Sequence, residues 1–198
     1  MKLIFASSNK NKIKEIKALL PSHFEVLGLE DIGITEDIPE PGTTIKENSF
    51  LKAQYVLEFL KNKNKTLVAV FADDSGLEVN ALNAAPGVYS ARYAGTPKND
   101  ENNNKKLLEA LKLVTDRKAR FVTVITLILN EEIHYFEGEI KGTISYEKRG
   151  TNGFGYDPLF IPQGYRSTFA ELGAEVKNAI SHRSLAVKKL IEFLSNKQ

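Results

Sequence analysis

The order of hydrophobic and polar residues along the chain predicts strands that alternate with helices. A short apolar segment, residues 3–6, stands before a Ser/Asn cluster and predicts a buried strand. Ile13, Ile16 and Leu19 then recur at helical spacing, and Pro21 ends the predicted helix. The chain therefore begins with the strand-then-helix order of an α/β protein.

The next part of the chain repeats this order. Residues 24–27 predict a second strand. Thr44 and Glu47 have the spacing of a capping box, so we expect a helix from there to about Leu60. The unbroken apolar run 67–72 predicts a strand that is buried on both faces, as in a largely parallel sheet.

The second half of the chain adds a hairpin and two more helices. One helix is predicted over residues 100–114, and a final helix begins at about Ser181. Residues 121–129 and 133–136 flank a polar turn and predict a hairpin, and a further strand is expected over 138–145. Together these elements predict an α/β fold with a mixed sheet flanked by helices.

The composition excludes several classes of protein. The chain has no cysteine, which rules out a disulfide scaffold, a zinc ribbon and a cysteine nucleophile. Its hydrophobic content of 42% is too high for a disordered chain. A net charge of +2 argues against nucleic-acid binding through bulk positive charge. Residues 1–198 are expected to form a single domain, because no repeat or low-complexity linker interrupts them.

The hydropathy pattern also predicts the cellular location of the protein. No run of about 18 apolar residues occurs, so no membrane span is expected. The N-terminal apolar run is too short for a signal peptide, which makes a soluble cytoplasmic protein the default expectation. The Asn/Lys-rich segments 61–65 and 99–106 are expected to be solvated loops or helix edges.

The first candidate site is the polar cluster between the first strand and the first helix. It consists of Ser7, Ser8, Asn9, Lys10, Asn11 and Lys12. Free backbone N–H groups at a helix start attract anions, and Ser, Asn and Lys side chains can donate to phosphate oxygens. The cluster lacks the Walker A pattern, and an ordinary helix cap remains the alternative interpretation.

The second candidate site is Asp73-Asp74-Ser75-Gly76, predicted to follow directly on the strand that ends at residue 72. Adjacent buried carboxylates are costly unless they are paired or bound to metal. Mg²⁺ binds through one or two carboxylates plus substrate phosphates, and a second carboxylate can orient or deprotonate water. The alternative is a turn in which Asp caps neighbouring N–H groups.

Two glutamates are candidate partners for these aspartates. Glu40 lies in the stiff segment Pro39-Glu40-Pro41-Gly42, which can present a carboxylate with little loss of entropy. Glu47 already has a structural task as the capping-box acid, so Glu40 is favoured for metal and Glu47 is kept as the alternative. Lys52, on the same predicted helix, is either a solvated lysine or a phosphate contact.

Two further clusters carry aromatic and basic residues. The glycine-rich segment 148–158 contains Phe154, which could stack on a flat base, and Asp157, which could accept from a ring N–H. A tight turn with core aromatics is the alternative. His182 and Arg183 are predicted in the first turn of the last helix, where cations oppose the helix dipole. This placement suggests that an electron-rich group docks there.

Taken together, these motifs closely resemble the inosine triphosphate pyrophosphatase family. Five motifs occur in the family's order: Ser7-x-Asn9-x-x-Lys12, Asp73-Asp74-Ser75-Gly76-Leu77, Pro86-Gly87-Val88-Tyr89-Ser90-Ala91-Arg92, Gly153-Phe154-Gly155-Tyr156-Asp157-Pro158 and Ile180-Ser181-His182-Arg183. The resemblance runs from the N-terminus to the last helix. It implies an elongated α/β fold with a central mixed sheet and two lobes, and an active-site cleft between the lobes.

The resemblance also implies an activity. Members of the family hydrolyse ITP, dITP and XTP to the monophosphate and pyrophosphate with Mg²⁺, which cleanses the nucleotide pool, and they are usually homodimers. By the same resemblance, Asp74 would be the general base and a metal ligand, assisted by Asp73. Glu40 would be the other metal carboxylate. The segment 39–41, with a proline on each side of this glutamate, is the least regular part of the match.

The remaining matched positions would bind substrate. Phosphate contacts are implied for Ser7, Asn9, Lys12 and Lys52, and a nucleotide contact for Ser75. A base pocket is implied for Phe154, Gly155, Tyr156, Asp157, Lys177, His182 and Arg183. Hypoxanthine and xanthine carry a carbonyl at position 6, where adenine carries an amino donor. Donors from the three basic residues would therefore select the oxo purines.

Two rival functions are open at this point. A related pyrophosphatase of similar fold could act on pyrimidine or modified nucleotides, which a substrate panel would distinguish. A nucleotide-binding regulatory protein would need the phosphate and base clusters but no paired acids, so Asp73 and Asp74 disfavour it. A nucleic-acid module is disfavoured because no basic stripe interleaved with aromatics occurs.

Overall fold

The computed structural model describes residues 1–63 and 69–197, with six strands and six α-helices in these parts of the chain. The strands are β1 (Lys2–Phe5), β2 (Glu25–Leu27), β3 (Ala69–Val79), β4 (Lys118–Leu129), β5 (Glu132–Ile144) and β6 (Phe160–Pro162). The helices are α1 (Lys10–Leu19), α2 (Leu29–Ile32), α3 (Ile45–Asn62), α4 (Asp100–Ala110), α5 (Phe169–Ile180) and α6 (His182–Ser195).

The strands form one mixed sheet in the order β2-β1-β3-β4-β5-β6. Strand β1 pairs in parallel with both β2 and β3, whereas β5 and β6 are antiparallel. This confirms the predicted fold class, an α/β protein with a mixed sheet and flanking helices. The described helices include none long and apolar enough to span a membrane.

The described chain divides into two compact units. The first consists of Met1–Asp74, Thr123–Gly138 and Ser184–Gln198, and the second of Ser75–Val122 and Glu139–Arg183. Each unit has a hydrophobic core of its own.

The core of the first unit is built on both faces of β1 and β3. Leu3 and Phe5 face one cluster, which α1 and α6 complete, and the Phe5 and Phe71 rings stack at 4.7 Å. Ile4 and Val70 face the opposite cluster, which α3 completes. Successive strand residues point to opposite faces, so these strands are apolar without interruption, as predicted for the segment from residue 69 onward. The predicted strand residues 67 and 68 lie outside the described residues.

The predicted end of strand β3 is wrong. The strand does not stop at residue 72 but continues through Asp73 and Asp74 to Val79. Leu77 and Val79 are fully buried in the core of the second unit, which keeps the chain extended beyond the two acids. The neighbouring strand β1 pairs only as far as Phe5, so the aspartates lie just past the carboxyl end of that strand.

Helix α3 begins as predicted, but its cap differs in detail. The Thr44 hydroxyl accepts the Glu47 N–H at 3.1 Å. The Glu47 carboxylate accepts from the backbone and the hydroxyl of Thr43, one residue further back than in the expected capping box. The carboxylate of Glu47 therefore accepts hydrogen bonds at the N-terminal cap of α3.

Several predictions for the second half of the chain need correction. The hairpin is confirmed, with Asn130 and Glu131 in the left-handed region that a two-residue turn requires. The two predicted strands after the turn are one continuous strand, β5. Helix α4 ends at residue 110 rather than 114, and its Asn103 and Asn104 are buried rather than solvated. Helix α5 and strand β6 had no sequence-based prediction.

A buried arginine fixes the start of β4 in the second unit. The Arg117 guanidinium donates to the carbonyl oxygens of Leu111, Ile144 and Ser145 at 2.7–2.9 Å. One side chain therefore donates to three backbone acceptors, of which Leu111 also accepts the Val114 N–H.

We expect Arg117→Met to lower the free energy of unfolding by about 3 kcal/mol, because three buried hydrogen bonds from a charged group are lost, although the Leu111 carbonyl keeps the Val114 N–H. Urea denaturation measures this change. Arg120→Met is the matched control: that arginine is exposed and pairs with Glu78 and Glu139, so its loss should cost less than about 1 kcal/mol. Equal losses in the two variants would contradict the structural role of Arg117.

Candidate active site

The predicted phosphate cluster lies at the start of helix α1. The Asn9 side-chain oxygen accepts the N–H groups of Asn11 and Lys12 at 3.0 and 3.1 Å, which makes this residue the helix cap. The Ser7 hydroxyl accepts the Asn9 N–H at 3.3 Å, and Ser8 donates to an exposed carboxylate, that of Asp37.

The geometry of this cluster fits both interpretations of the sequence. The oxygen of Asn9 is used in capping, as the structural alternative requires, while Lys10 and Asn11 are exposed at the helix start. A phosphate role for these six residues stays a prediction.

Three carboxylates and two lysines form the acid–lysine cluster of the first unit: Lys12, Glu40, Lys52, Asp73 and Asp74. The Lys12 ammonium lies 3.1 Å from Asp73, a carboxylate with no exposed side-chain surface. The Lys52 ammonium lies 2.7 Å from Glu40 and 3.3 Å from Asp74. Helices α1 and α3 thus each bring one cation to the acidic part of β3.

Burial and the neighbouring charges together set the pKa values of Asp74 and Lys52. Burial raises the pKa of Asp74, and the ammonium groups of Lys52 and Lys12 offset this effect only in part. Burial alone would lower the pKa of Lys52, but the charges of Asp74, Glu40 and Asp73 outweigh it and raise that pKa. Lys52 is therefore charged at neutral pH, and Asp74 is a stronger base than a solvent-exposed aspartate.

The arrangement has room for an additional positive group. The Asp74 Oδ2 atom is buried and accepts no hydrogen bond from the described residues. Among these residues no group of three or more His, Cys, Asp or Glu side chains is placed to hold a metal ion. Mg²⁺, however, commonly binds to one or two carboxylates and completes its shell with water and substrate phosphates. Glu40 and Asp74 fit that pattern, since both reach the same ammonium group.

Ser49 fixes the helix that carries Lys52. Its hydroxyl lies 3.1 Å from the carbonyl oxygen of Ala72 and 2.8 Å from the Thr126 hydroxyl. The same oxygen accepts the Thr126 N–H at 3.0 Å. Ala72 directly precedes the two aspartates, so this serine ties α3 to the strand at the point where Lys52 meets them.

A buried ion pair organises the glycine-rich loop of the second unit. The Lys177 ammonium lies 2.6 Å from the Asp157 carboxylate, and both side chains are almost completely buried. The same carboxylate oxygen accepts the Phe154 N–H at 2.9 Å. Gly153 has φ +79°, and a side chain there would collide with Asp157, so the loop requires glycine at this position.

The aromatic residues of this loop have different environments. The Phe154 ring has the Lys177 ammonium 4.5 Å and the Arg183 guanidinium 5.8 Å from its centroid, within cation–π range. Tyr156 is a core residue whose hydroxyl donates to the Ser90 carbonyl, and burial raises its pKa. Part of the alternative interpretation, a turn with core aromatics, is therefore confirmed for Tyr156.

Helix α4 supports the same loop. The Asp100 carboxylate accepts the Gly155 N–H at 2.7 Å, and the Asn104 amide donates to the Gly155 carbonyl at 2.8 Å. Sequence reasoning missed both contacts, because the asparagine-rich segment was expected to be solvated. The only local signal is that Asn104 falls at helical spacing from the buried Leu107 and Leu111.

The basic pair at the start of α6 lies where it was predicted. No acidic residue occupies the first turn of that helix, and both His182 and Arg183 are buried. The His182 ring stacks on Phe121 at 4.7 Å, and Arg183 donates to the Ser75 hydroxyl at 3.1 Å. Ser75 follows Asp74 directly in the chain.

The structure therefore brings the predicted residues together in two groups. One is the acid–lysine cluster, and the other consists of Ser75, Phe154, Asp157, Lys177 and Arg183. His182 precedes Arg183 in the chain, and its ring stacks on Phe121. The role of each of these residues in binding or catalysis stays a prediction.

Comparison with known proteins gives a consistent result across almost the entire chain. The model of the Ham1 family matches residues 3–193. A dITP/XTP pyrophosphatase of Christiangramia forsetii is 54% identical over 195 residues, which cover 98% of this chain and 100% of the relative. A dITP/XTP pyrophosphatase of Flavobacterium johnsoniae is 53% identical, with 98% of each chain covered.

Solved structures agree with the sequence comparison. The Staphylococcus aureus Ham1 protein has a TM-score of 0.88 at 41% identity, with 100% of both chains covered. A nucleoside-triphosphatase / dITP/XTP pyrophosphatase of Mycobacterium abscessus has a TM-score of 0.75 at 41% identity, covering 96% of this chain and 99% of that chain.

We expect Lys12→Met to lower the free energy of unfolding by about 3 kcal/mol, because it removes a cation from the fully buried Asp73. Lys10→Met in the same helix is the control, and this exposed lysine should change stability by no more than about 0.5 kcal/mol. Chemical denaturation at pH 7 compares the variants. Similar stabilities for both would show that the ion pair with Asp73 does not stabilise the fold.

Proposed function

The chain belongs to the Ham1 family, and from this membership we propose that it hydrolyses non-standard purine nucleoside triphosphates to the monophosphate and pyrophosphate. The substrates are ITP, dITP and XTP. The structural observation that carries this proposal is the buried acid–lysine cluster, in which Asp74 combines a raised pKa with an oxygen that accepts no hydrogen bond from the described residues.

In this proposal the start of α1 and Lys52 bind the triphosphate. Ser7, Asn9 and Lys12 at the start of α1 bind phosphate oxygens, because N–H groups, the helix dipole and an ammonium group all attract anions there. Lys52 moves from its two carboxylates to a phosphate oxygen when substrate enters. This exchange keeps the charge of the ammonium group compensated at every stage.

Asp74 acts as the general base. Its carboxylate takes a proton from the water that attacks phosphorus, and its raised pKa favours that transfer. Asp73 remains paired with Lys12 and helps to orient that lysine. The proposal includes Mg²⁺ held by Glu40 and Asp74; when bound, the ion supplies positive charge that stabilises the phosphate oxygens in the transition state.

In the same proposal Lys177, His182 and Arg183 recognise the base. Lys177, His182 and Arg183 present N–H donors, which suit the 6-carbonyl of hypoxanthine or xanthine and mismatch the 6-amino group of adenine. Phe154 and Asp157 complete the base contacts, supported by Gly155 and Tyr156. A buried polar mismatch of this kind discriminates by orders of magnitude, as a selective nucleotide hydrolase requires.

From the family resemblance the proposal also includes a homodimer, a cytoplasmic location and the absence of nucleic-acid or membrane partners. The near-neutral charge of the chain is consistent with a small-molecule substrate rather than with a nucleic acid.

A hydrolysis screen tests the proposed activity. Purified protein is incubated with Mg²⁺ and each common or deaminated nucleoside triphosphate, and pyrophosphate release is measured. We expect ITP, dITP and XTP to be turned over with far higher kcat/KM than ATP and the pyrimidine triphosphates. GTP shares the 6-carbonyl, so its rejection requires discrimination at the 2-amino group. Preference for a pyrimidine triphosphate, or ITP binding without hydrolysis, would overturn the proposal.

Asp74→Asn should reduce kcat for ITP by at least about 10³-fold, because the base is lost. Asp116→Asn, on the exposed surface, should leave kcat unchanged. Near-normal turnover in Asp74→Asn would remove the general-base assignment.

The Asp74→Asn variant should be at least as stable as the wild type at pH 7. The pKa of Asp74 is raised in the fold, so its ionised form opposes folding at pH values above that pKa. As the pH falls through the folded pKa, the wild-type carboxyl takes up a proton. The difference in stability between the variant and the wild type then narrows. Thermal unfolding of both proteins between pH 4 and 8 checks this sign.

Arg183→Ala should lower kcat/KM for ITP at least about tenfold while it changes the value for ATP much less, because only the 6-oxo base would use this donor. Arg120→Ala, at an exposed arginine of the same unit, should alter neither value. Steady-state kinetics with both nucleotides measure the effect. Equal losses for ITP and ATP would refute a base-reading role for Arg183.

A further inference from the structure

Asn48 is a buried side chain next to the acid–lysine cluster that the proposed mechanism does not use. It lies on α3, one helical turn before Lys52, and only 1% of its surface is exposed. Residues spaced by four lie on the same face of a helix, so Asn48 and Lys52 face the same way. Lys52 in turn contacts Glu40 and Asp74.

One end of the Asn48 amide is fixed by the loop that carries Glu40. Its Oδ1 atom accepts the Gly42 N–H at 2.7 Å. The fit is tight, since a side-chain carbon on Gly42 would come within 2.5 Å of that oxygen. An N–H donor requires an oxygen as its acceptor, so this contact also decides which end of the amide is the NH₂ group.

The other end of the amide has no protein acceptor. The Nδ2 atom is buried and makes no hydrogen bond with any described residue. A buried donor left unsatisfied destabilises a protein, and such groups are rare unless they serve a ligand. Neither Glu40 nor Asp74 satisfies it: the oxygens that contact Lys52 are Glu40 Oε1 and Asp74 Oδ1, and Nδ2 makes no hydrogen bond with either carboxylate.

We propose that Asn48 is a substrate-binding residue whose Nδ2 donates to an oxygen of the polyphosphate group. The inference rests on the proposed function and adds a phosphate contact to it. A polyphosphate supplies the acceptors that Nδ2 lacks. The Gly42 contact holds the side chain in place before substrate arrives, which reduces the loss of side-chain entropy on binding.

The test is calorimetric binding of inorganic tripolyphosphate in the presence of a chelator, so that the carboxylates contribute no metal-dependent affinity. Asn48→Leu removes the donor at similar volume and should weaken binding at least about tenfold, since a hydrogen bond to a charged group is lost. The affinity for inosine, which has no phosphate, should not change. Unchanged tripolyphosphate affinity would overturn the inference and leave Asn48 as a support of the Glu40 loop only.

Asn48→Asp covers the case in which the leucine variant does not fold. It keeps the acceptor for Gly42 but lacks the NH₂ group, so it should also weaken tripolyphosphate binding at least about tenfold. Wild-type affinity in this variant would equally refute the contact.

Asn103→Asp is the matched control for a buried asparagine. There the oxygen accepts the Ala94 N–H and the NH₂ group donates to the Ala91 carbonyl, so both ends are used within the protein. This change should lower stability and leave tripolyphosphate binding as in the wild type.

A wild-type protein that hydrolyses none of the triphosphates would refute the proposed function. An active wild type with unaffected Asn48 variants would refute only this inference.

Discussion

The first unit depends on the pairing of buried carboxylates with lysines. Asp73 has no exposed side-chain surface and Asp74 has little, and two ionised groups in such positions oppose folding unless cations compensate them. Lys12 and Lys52 provide this compensation from two different helices. The compensation of Asp74 is incomplete, as its raised pKa shows, and this incompleteness leaves the carboxylate able to take up a proton.

The position of these charged groups follows from a difference in length between the neighbouring strands β1 and β3. β1 stops pairing at Phe5, whereas β3 continues to Val79, so the acidic residues lie past the end of β1 and the α1 start lies beside them. Ser49 bonds the Ala72 carbonyl and fixes α3 against β3 at this point. The same helix presents Lys52 and Asn48 on one face, which links the site to the loop that contains Glu40.

The second unit also contains a buried pair of opposite charges, which organises a loop. The Lys177–Asp157 pair is buried and close, and it closes a loop whose Phe154 ring attracts two cations. Arg183 bonds Ser75, the residue that follows Asp74 along β3. Strand β3 thus contributes Asp73 and Asp74 to the first unit and Ser75 to the second.

The local pattern of the sequence determined most of the elements, although not α5 and β6, and the polar residues at several helix starts. Asn9 before α1, Thr44 before α3 and His182 at the start of α6 all lie where capping and periodicity placed them, because such signals act over a few residues. Only the tertiary structure decided the rest. The strand containing Asp73 continues because a second core buries its far end, and Asn104 of α4 is buried where its amide donates to the Gly155 carbonyl of a distant loop. These effects join residues tens of positions apart, and a periodicity read over a short window contains no information about such partners.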